Sequence, residues 1–220
     1  MQDAVAPAFC VQCNAAGGWL CEICAEQIFF VKAQVCYRCG KLSEQGKTCQ
    51  RCRRYTHLSG VLVATHYESG PVRELVHRLK YEALTDLAKI LSRILLQAVE
   101  GKAWDGWTVV PVPLHPGRLT KRGFNQADLL GRRLAGYLRM PYRSQWLRRI
   151  RATEAQVELS GMHRRINVYK AFLAKQDLRG MKILLVDDVM TTGATLEDAA
   201  RALKDAGAKM VWAAVVARGS

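Results

Sequence analysis

The chain has 220 residues, of which 50% are hydrophobic and 24% charged, and its formal net charge is +14. This length suits one well-packed α/β domain with a small additional module. No apolar run approaches the roughly 18 residues of a membrane-spanning helix, and residues 1–10 lack the basic and apolar regions of a secretory signal. We therefore expect a cytoplasmic protein without membrane insertion, whose charge favours a polyanionic partner or a polyphosphate substrate.

Residues 1–56 form the first compositional block, because they contain all eight cysteines and few regularly spaced apolar residues. We expect this block to be a separate module, with residues 57–220 as the second domain. A reducing cytoplasm disfavours disulfides, and the cysteine spacing differs from that of common iron–sulfur proteins. Two cysteines three residues apart can direct both sulfurs to one tetrahedral ion, and two such pairs complete a closed, structural site.

The sequence therefore predicts two structural Zn²⁺ ions on four CxxC pairs. The simplest assignment is sequential, with one site at Cys10, Cys13, Cys21 and Cys24 and the other at Cys36, Cys39, Cys49 and Cys52. An interleaved assignment is also compatible with the sequence. The second half of the module is basic, and its cations form either a solvated surface or a docking surface.

From Val61 the pattern changes to alternating strands and helices. The predicted elements are a strand at 61–64, helices at 71–81 and 84–100, a strand at 108–112, a helix at 125–139, a strand at 181–187, a helix from about 196 to near 207, and a strand at 211–217. The last two strands are continuous apolar runs, which is typical of strands buried on both faces. This alternation predicts an α/β domain with a mostly parallel sheet.

Residues 183–195, which read ILLVDDVMTTGAT, are the most informative stretch. An apolar strand brings Asp187 and Asp188 to its carboxyl end, the edge at which open α/β sheets bind ligands. The following helix N-terminus offers N–H groups to a phosphate, and Gly193 lets the backbone approach closely. The carboxylates suit vicinal ribose hydroxyls, which donate hydrogen bonds. The alternative is a helix-capping loop after a core strand.

This stretch resembles the phosphoribosyl-pyrophosphate (PRPP) motif of the type I phosphoribosyltransferases at all thirteen positions. The resemblance implies that Asp187 and Asp188 hold the ribose 2′ and 3′ hydroxyls. It also implies that the 5′-phosphate is surrounded by Thr191, Thr192, Gly193, Ala194 and Thr195.

Two further segments resemble parts of the same enzymes. Residues 110–118, which read VPVPLHPGR, resemble the loop that meets the pyrophosphate leaving group, and Arg118 and Arg122 supply cations there. The alternative for this segment is an ordinary basic turn. Residues 151–172 resemble the mobile loop that closes over PRPP, and the alternative for them is a solvated linker.

The chain as a whole resembles the ComF family. The shared strings are the CxxC pairs, LKY at 79–81, PVP at 111–113, RGFNQ at 122–126 and VDDVMTTGAT at 186–195. The resemblance implies a type I phosphoribosyltransferase-like fold, a mostly parallel sheet flanked by helices, behind the zinc-binding module. It also implies a part in natural transformation, in which incoming single-stranded DNA is handled.

Two functional hypotheses follow. In the first, which we favour, the chain binds PRPP or a related phosphosugar and acts in DNA uptake, with single-stranded DNA and other uptake proteins as partners. In the second, it is a phosphoribosyltransferase that uses Mg²⁺ with PRPP and transfers ribose 5-phosphate to an acceptor that no motif identifies. Its catalytic residues would be Asp187, Asp188, Arg118 and Arg122.

Cations with nearby aromatic residues support the DNA hypothesis, because bases stack on aromatic rings and phosphates pair with cations. The cations outside the transferase motifs are Arg51, Arg53, Arg54, Arg148, Arg149 and Arg151. The neighbouring aromatic residues are Tyr37, Tyr55, Tyr142 and Trp146. In the alternative, Tyr142 and Trp146 belong to the core and the arginines only increase solubility.

Overall fold

The computed structural model describes residues 8–68, 70–151 and 170–219. Its strands are β1 (Gly60–His66), β2 (Trp107–Pro111), β3 (Arg148–Arg149), β4 (Phe172–Leu173), β5 (Lys182–Met190) and β6 (Met210–Arg218). Its helices are α1 (Glu22–Ala25), α2 (Val72–Tyr81), α3 (Leu87–Val99), α4 (Pro116–Arg122), α5 (Gln126–Leu138) and α6 (Ala194–Asp205). None of the helices in these ranges is long and apolar enough to cross a membrane.

A four-stranded parallel sheet forms the centre of the fold, with its strands in the order β1-β6-β5-β2. In its register, Ile183 of β5 lies beside Val211 of β6 on one side and Thr108 of β2 on the other. This sheet confirms the predicted α/β fold. The short strands β3 and β4 form a separate antiparallel pair that the sequence did not predict.

Different helices cover the two faces of the sheet. Leu184 and Val186 of β5 belong to the core that contains buried residues of α2, α3 and α5. Ile183 and Leu185 belong to the opposite core, which contains the buried residues of α6. Because both faces are covered, β5 reads as a continuous apolar run in the sequence.

The cysteine module lies along β1, the edge strand of the sheet. The Val31 N–H donates to the carbonyl oxygen of Ala64 at 2.9 Å. The Gln34 amide exchanges two hydrogen bonds with the backbone of Val63, at 2.9 Å and 3.1 Å. These contacts satisfy backbone groups of an edge that would otherwise be open to pairing with another chain.

Two differences from the predicted elements bear on the functional site. The strand β5 continues to Met190 rather than ending near Asp187, because β6 pairs with it as far as Arg218. Residues 116–122, for which an ordinary turn was the alternative, form the helix α4. Proline at the first helical position and His115 Nδ1, which accepts from the Gly117 N–H at 3.2 Å, favour the start of this helix.

Candidate functional site

A cleft of about 260 Å³ opens at the carboxyl ends of β2 and β5. This is the edge at which the sequence predicted a ligand. Its polar side chains come from five parts of the chain, and they are Lys80, Arg118, Gln126, Arg149, Asp187, Asp188, Thr191 and Thr195. The cleft therefore combines cations, carboxylates and hydroxyls in a small volume.

Asp187 and Asp188 lie side by side on β5, and both are buried, with 9% and 3% of their surface exposed. Asp188 forms an ion pair with Lys80, near the end of α2, and accepts a 3.4 Å hydrogen bond from Gln126 Nε2. The Asp188 N–H donates to Asp187 Oδ1 at 2.9 Å. Sequence reasoning assigned no role to Lys80, although Lys80 belongs to the LKY string that carries the family resemblance.

The protonation of this group follows from burial and charge. Burial, reinforced by the charge of Asp188, raises the pKa of Asp187 well above its usual range. Burial also acts to raise the pKa of Asp188, but the Lys80 ammonium outweighs it and lowers that pKa. For Lys80, burial acts to lower the pKa, and the charge of Asp188 outweighs it and raises the pKa. Asp187 therefore holds its proton more tightly than Asp188 does.

The loop after β5 leads into the N-terminus of α6. Gly193 is the N-cap residue of α6 and has a φ of +79°, a left-handed conformation that glycine adopts without strain. Thr192 Oγ1 accepts a 3.4 Å hydrogen bond from the Ala194 N–H, and the side chains of Thr191 and Thr195 line the cleft. The loop therefore places the first turn of a helix beside the two carboxylates, which suits a phosphate group.

Arg118 and Arg122 take different positions on α4. Arg118 lines the cleft, whereas Arg122 is not among the residues that line it. Arg122 Nη1 donates to Gln126 Oε1 at 2.7 Å, and its guanidinium lies 5.7 Å from the ring centroid of Tyr81. Since Gln126 also contacts Asp188, Arg122 reaches the carboxylates only through Gln126.

The RGFNQ string has a structural explanation in this arrangement. Asn125 caps α5, since its Oδ1 accepts from the Ala127 N–H at 3.1 Å. Asn125 Nδ2 donates to the carbonyl oxygen of Val112 at 3.0 Å and so joins the helix to the loop after β2. Together with Gln126, this residue fixes α5 against the cleft.

Arg149 lies in the cleft rather than on an outer surface, which corrects its assignment as a candidate DNA contact. Only 9% of it is exposed, and its guanidinium lies 5.3 Å from the ring centroid of Phe172. Burial, with the charge of Arg118, lowers the pKa of Arg149. The loop predicted to close over the ligand falls mostly on residues 152–169, outside the described residues.

The aromatic residues proposed for DNA divide into two groups. The first group is partly or fully buried: only 6% of Tyr37 is exposed, the Tyr142 O–H donates to Asp128, and Trp146 packs against the core under α6. The alternative interpretation expected Tyr142 and Trp146 in the core, and both are partly buried and pack against it. Tyr55, by contrast, is 69% exposed. It lies beside three exposed cations, which are Arg51, Arg53 and Arg54.

The eight cysteines form two clusters, each with four sulfurs within 4.8 Å of one another. Cys10, Cys13, Cys21 and Cys24 form the first cluster, and Cys36, Cys39, Cys49 and Cys52 form the second. This confirms the sequential assignment and excludes the interleaved one. Four sulfur ligands per cluster suit a closed, structural Zn²⁺ site.

Backbone groups around the clusters favour thiolates. Burial acts to raise the pKa of Cys10, but backbone N–H groups, among them that of Cys21, outweigh it and lower the pKa to about 6. The same opposing effects lower the pKa of Cys36 to about 6. Burial and the neighbouring sulfurs raise the pKa values of Cys24 and Cys52 to about 12. A divalent cation would offset the cost of burying these last two cysteines, and the repulsion between sulfurs, when they ionise.

Models of two known domain families match this chain, one at the cysteine module and one in the part that contains the cleft. Residues 1–53 match the model of the double zinc ribbon domain, and residues 120–220 match the model of the phosphoribosyl transferase domain.

Curated relatives match nearly the whole chain. The DNA utilization protein YhgH of Salmonella typhimurium is 34% identical over 215 residues, which cover 93% of this chain and 94% of that protein. Competence protein F of Haemophilus influenzae is 30% identical over 218 residues, covering 92% and 94%. Competence protein ComFC of Streptococcus pneumoniae is 28% identical over 197 residues, covering 87% and 84%. The chain therefore belongs to the ComF family, in which a double zinc ribbon precedes a phosphoribosyltransferase domain.

Proposed function

We propose that this protein binds PRPP, or a related 5-phosphosugar, in the cleft and acts in DNA uptake by handling single-stranded DNA. One observation carries the first part: two adjacent, buried carboxylates lie beside the N-terminal loop of α6, with Arg118 in the same cleft. The oxygens of the two carboxyl groups supply acceptors for the two ribose hydroxyls.

The other parts of the ligand have complementary positions. The 5′-phosphate would lie on the loop of residues 191–195, at the positive end of the α6 dipole. The pyrophosphate would extend toward Arg118 and Arg149, which line the cleft. Among the described residues, the groups able to surround one metal ion are the two cysteine clusters. We therefore expect Mg²⁺ to arrive on the oxygens of the ligand.

The relatives' names and a basic surface support the second part. The curated relatives are named for DNA utilization and for competence. Arg51, Arg53, Arg54 and Tyr55 form an exposed surface on the second cysteine cluster, which we call the basic turn. Arg38 Nη1 donates to the carbonyl oxygen of Tyr55 at 2.9 Å and helps to fix this turn. Exposed cations beside an exposed ring suit the phosphates and bases of a single strand.

A phosphoribosyltransferase is the second candidate, favoured by Arg118 and Arg149, the two arginines that line the cleft. In such a reaction the bond from C1 of the ribose to pyrophosphate breaks while a nucleophile bonds to C1. Positive charge develops at C1, and negative charge develops on the leaving group. Arg118 would stabilise that negative charge directly, and Arg122 would hold Gln126 in place beside Asp188.

A thermal-shift titration with PRPP and Mg²⁺ tests the sugar site. A ligand at 100 times its Kd stabilises the folded state by about 2.7 kcal/mol, which corresponds to roughly 5–10 °C in a chain of this size. The double variant Asp187→Asn, Asp188→Asn should lose this shift, whereas the exposed Asp177→Asn should keep it. An unchanged shift in the double variant would mean that the ribose binds elsewhere. Release of pyrophosphate, with and without DNA, then separates a transferase from a binding protein.

Salt-dependent binding of single-stranded DNA tests the basic turn. About four phosphate contacts give a log–log slope near −3, since each contributes about −0.7. Replacing Arg51, Arg53 and Arg54 by Gln should flatten the slope by about 2 units. A control that removes three exposed cations from α3 and α5, Lys89, Arg93 and Arg133, should leave the slope unchanged. The same slope in both triple variants would remove the basic turn from the DNA surface.

A further inference from the structure

Tyr37 joins the second cysteine cluster to the core of the phosphoribosyltransferase domain. It follows Cys36 directly, and only 6% of it is exposed. Its ring belongs to the core under α6, together with Met190 and Leu196. Arg218 Nη2, at the end of β6, donates to the Tyr37 carbonyl oxygen at 3.1 Å. The turn between Cys36 and Cys39 is therefore fixed against the carboxyl edge of the sheet.

The hydroxyl of Tyr37 contacts the first turn of α6. It donates to Glu197 Oε2 at 2.7 Å, and Thr56 Oγ1 lies 2.6 Å from the same hydroxyl oxygen. The other carboxylate oxygen of Glu197 accepts from the His57 N–H at 2.7 Å and lies 2.9 Å from His57 Nδ1. Both oxygens of Glu197 are thus bound by the second half of the cysteine module, one by Tyr37 within the Cys36–Cys39 pair and the other by His57, which follows the Cys49–Cys52 pair.

The ring of Tyr37 packs against the phosphate-binding loop itself. A methyl group on Gly193 would lie 3.2 Å from Tyr37 Cδ2 and 3.5 Å from the sulfur of Met190. This glycine is the N-cap residue of α6, with a φ of +79°. The ring therefore closes one side of the loop whose backbone has to keep a left-handed conformation.

The first cysteine cluster makes a different contact at the corresponding position. Val11 follows Cys10 as Tyr37 follows Cys36, and it packs in the core on the opposite face, with residues of α2 and α3. Arg78 Nη2 of α2 donates to the Val11 carbonyl oxygen at 3.4 Å. Val11 is consequently a matched control for Tyr37, since it occupies the same place in a similar turn.

We propose that Tyr37 is a positioning residue, which holds the loop of residues 191–195 in the conformation that binds a phosphate. This inference rests on the proposed phosphosugar binding at that loop. A loop of threonines and glycine loses conformational freedom when it wraps a phosphate, and ordering it beforehand increases affinity. The second cluster, when loaded with Zn²⁺, fixes the Cys36–Cys39 turn and so fixes the ring.

Two measurements on Tyr37→Ala, Tyr37→Phe and Val11→Ala test this inference, with zinc content checked in each protein. In the ligand-free protein, amide hydrogen exchange of residues 191–197 should become faster in Tyr37→Ala and stay unchanged in Val11→Ala, with α5 as an internal reference. The Kd for PRPP with Mg²⁺ should rise roughly 10-fold in Tyr37→Ala and about 3-fold in Tyr37→Phe, which loses only the hydroxyl contacts. It should change less than about 2-fold in Val11→Ala.

The outcomes separate this inference from the proposed function. If Tyr37→Ala keeps its full zinc content and residues 191–197 exchange as slowly as in the wild-type protein, the positioning role is overturned. This holds whether or not PRPP binds. Failure of the wild-type protein to bind PRPP would instead remove the proposed ligand, and the exchange measurement would still decide the role of Tyr37. If Tyr37→Ala does not fold, Tyr37→Phe decides, since unchanged exchange and affinity in that variant contradict the inference.

Discussion

The two cysteine clusters have the same four ligands and the same order of buried and exposed cysteines, yet they pack against opposite faces of the sheet. The first cluster places Val11 in the core that contains residues of α2 and α3, whereas the second places Tyr37 against the loop that precedes α6. The cysteines fix the shape of each turn, and the residue after the first cysteine determines which part of the domain the turn contacts. The comparison implies that the first cluster contributes stability alone, while the second also organises the cleft.

Removing one cluster at a time should give the largest effect. The wild-type protein should contain about two Zn²⁺ per chain, and Cys10→Ser and Cys36→Ser should each lose about one and become less stable. Cys36→Ser should also lose PRPP binding by at least about 10-fold, whereas Cys10→Ser should keep most of it. Elemental analysis and a PRPP titration provide the check. Less than one zinc per wild-type chain, or equal loss of binding in both variants, would contradict the comparison.

Asp198 tests how α6 is held in the fold, through contacts that do not involve Tyr37. Its buried carboxylate accepts three backbone hydrogen bonds, from the N–H groups of Lys170, Ala171 and Phe172, at 2.9, 2.8 and 3.1 Å. It also forms an ion pair with Arg201 at 2.8 Å. Asp198→Ala should cost roughly 3–5 kcal/mol, because buried donors and a charge lose their partner.

The control is Asp205→Ala, because Asp205 is an exposed carboxylate that pairs with the same arginine at 2.6 Å. That variant should cost at most about 1 kcal/mol, as exposed ion pairs do. Chemical denaturation measures both values. Similar costs for the two variants would show that the hydrogen bonds to residues 170–172 contribute little to holding α6.

Gly193→Ala tests the contact between the ring of Tyr37 and the loop. The added methyl group meets Tyr37 at 3.2 Å and requires a left-handed conformation, so it should cost about 1–3 kcal/mol. Gly101→Ala has the same kind of conformation, with a φ of +74°, but no atom within 4 Å of the new methyl group. Its free-energy cost should therefore include only the strain of the left-handed conformation. Equal costs in denaturation experiments would show that the ring does not press on the loop.

The smallest expected effect concerns Asp187, in the cleft that the loop borders. Its raised pKa means that the folded protein keeps a proton which the unfolded chain releases above about pH 4. The stabilisation from that proton is complete at low pH and is lost as pH rises toward the folded pKa. The Asp187→Asn variant has no such group and does not lose this stability. The difference in melting temperature, variant minus wild type, should therefore be larger at pH 7 than at pH 4.

Each kcal/mol of stability that the wild-type protein loses over this range corresponds to about 2–4 °C of melting temperature in a chain of this size. Asp177→Asn, which changes a fully exposed carboxylate, should show no such increase. Thermal melts at both pH values decide the matter. A constant or falling difference for Asp187→Asn would show that Asp187 is already ionised in the folded protein.

The sequence predicted the elements that have strong periodicity or continuous apolar runs. The strand β5 and the helices α2, α3 and α5 lie within a few residues of their predicted positions, because their patterns report burial directly. The helix α4 was missed because it is short and contains proline and glycine. The grouping of the cysteines followed from the simplest reading of their spacing.

The residues that sequence reasoning missed make contacts between distant parts of the chain. Lys80 meets Asp188 only in the folded chain, where the end of α2 comes near the carboxyl end of β5. Arg149 was grouped with exposed arginines, since a run of basic residues gives no sign that one of them is buried. Tyr37 was considered only as an aromatic residue near cations, and its contact with Glu197 becomes visible only in the folded chain.

Hydrogen exchange of the wild-type protein with and without saturating PRPP and Mg²⁺ tests the central claim most directly, namely that the cleft and the second cluster form one binding unit. We predict slower exchange at residues 191–197 and at residues 36–57, with no change at residues 10–24 of the first cluster. Unchanged exchange at residues 191–197 would show that the loop is not the phosphate site. Equal protection of both clusters would contradict the distinction between them.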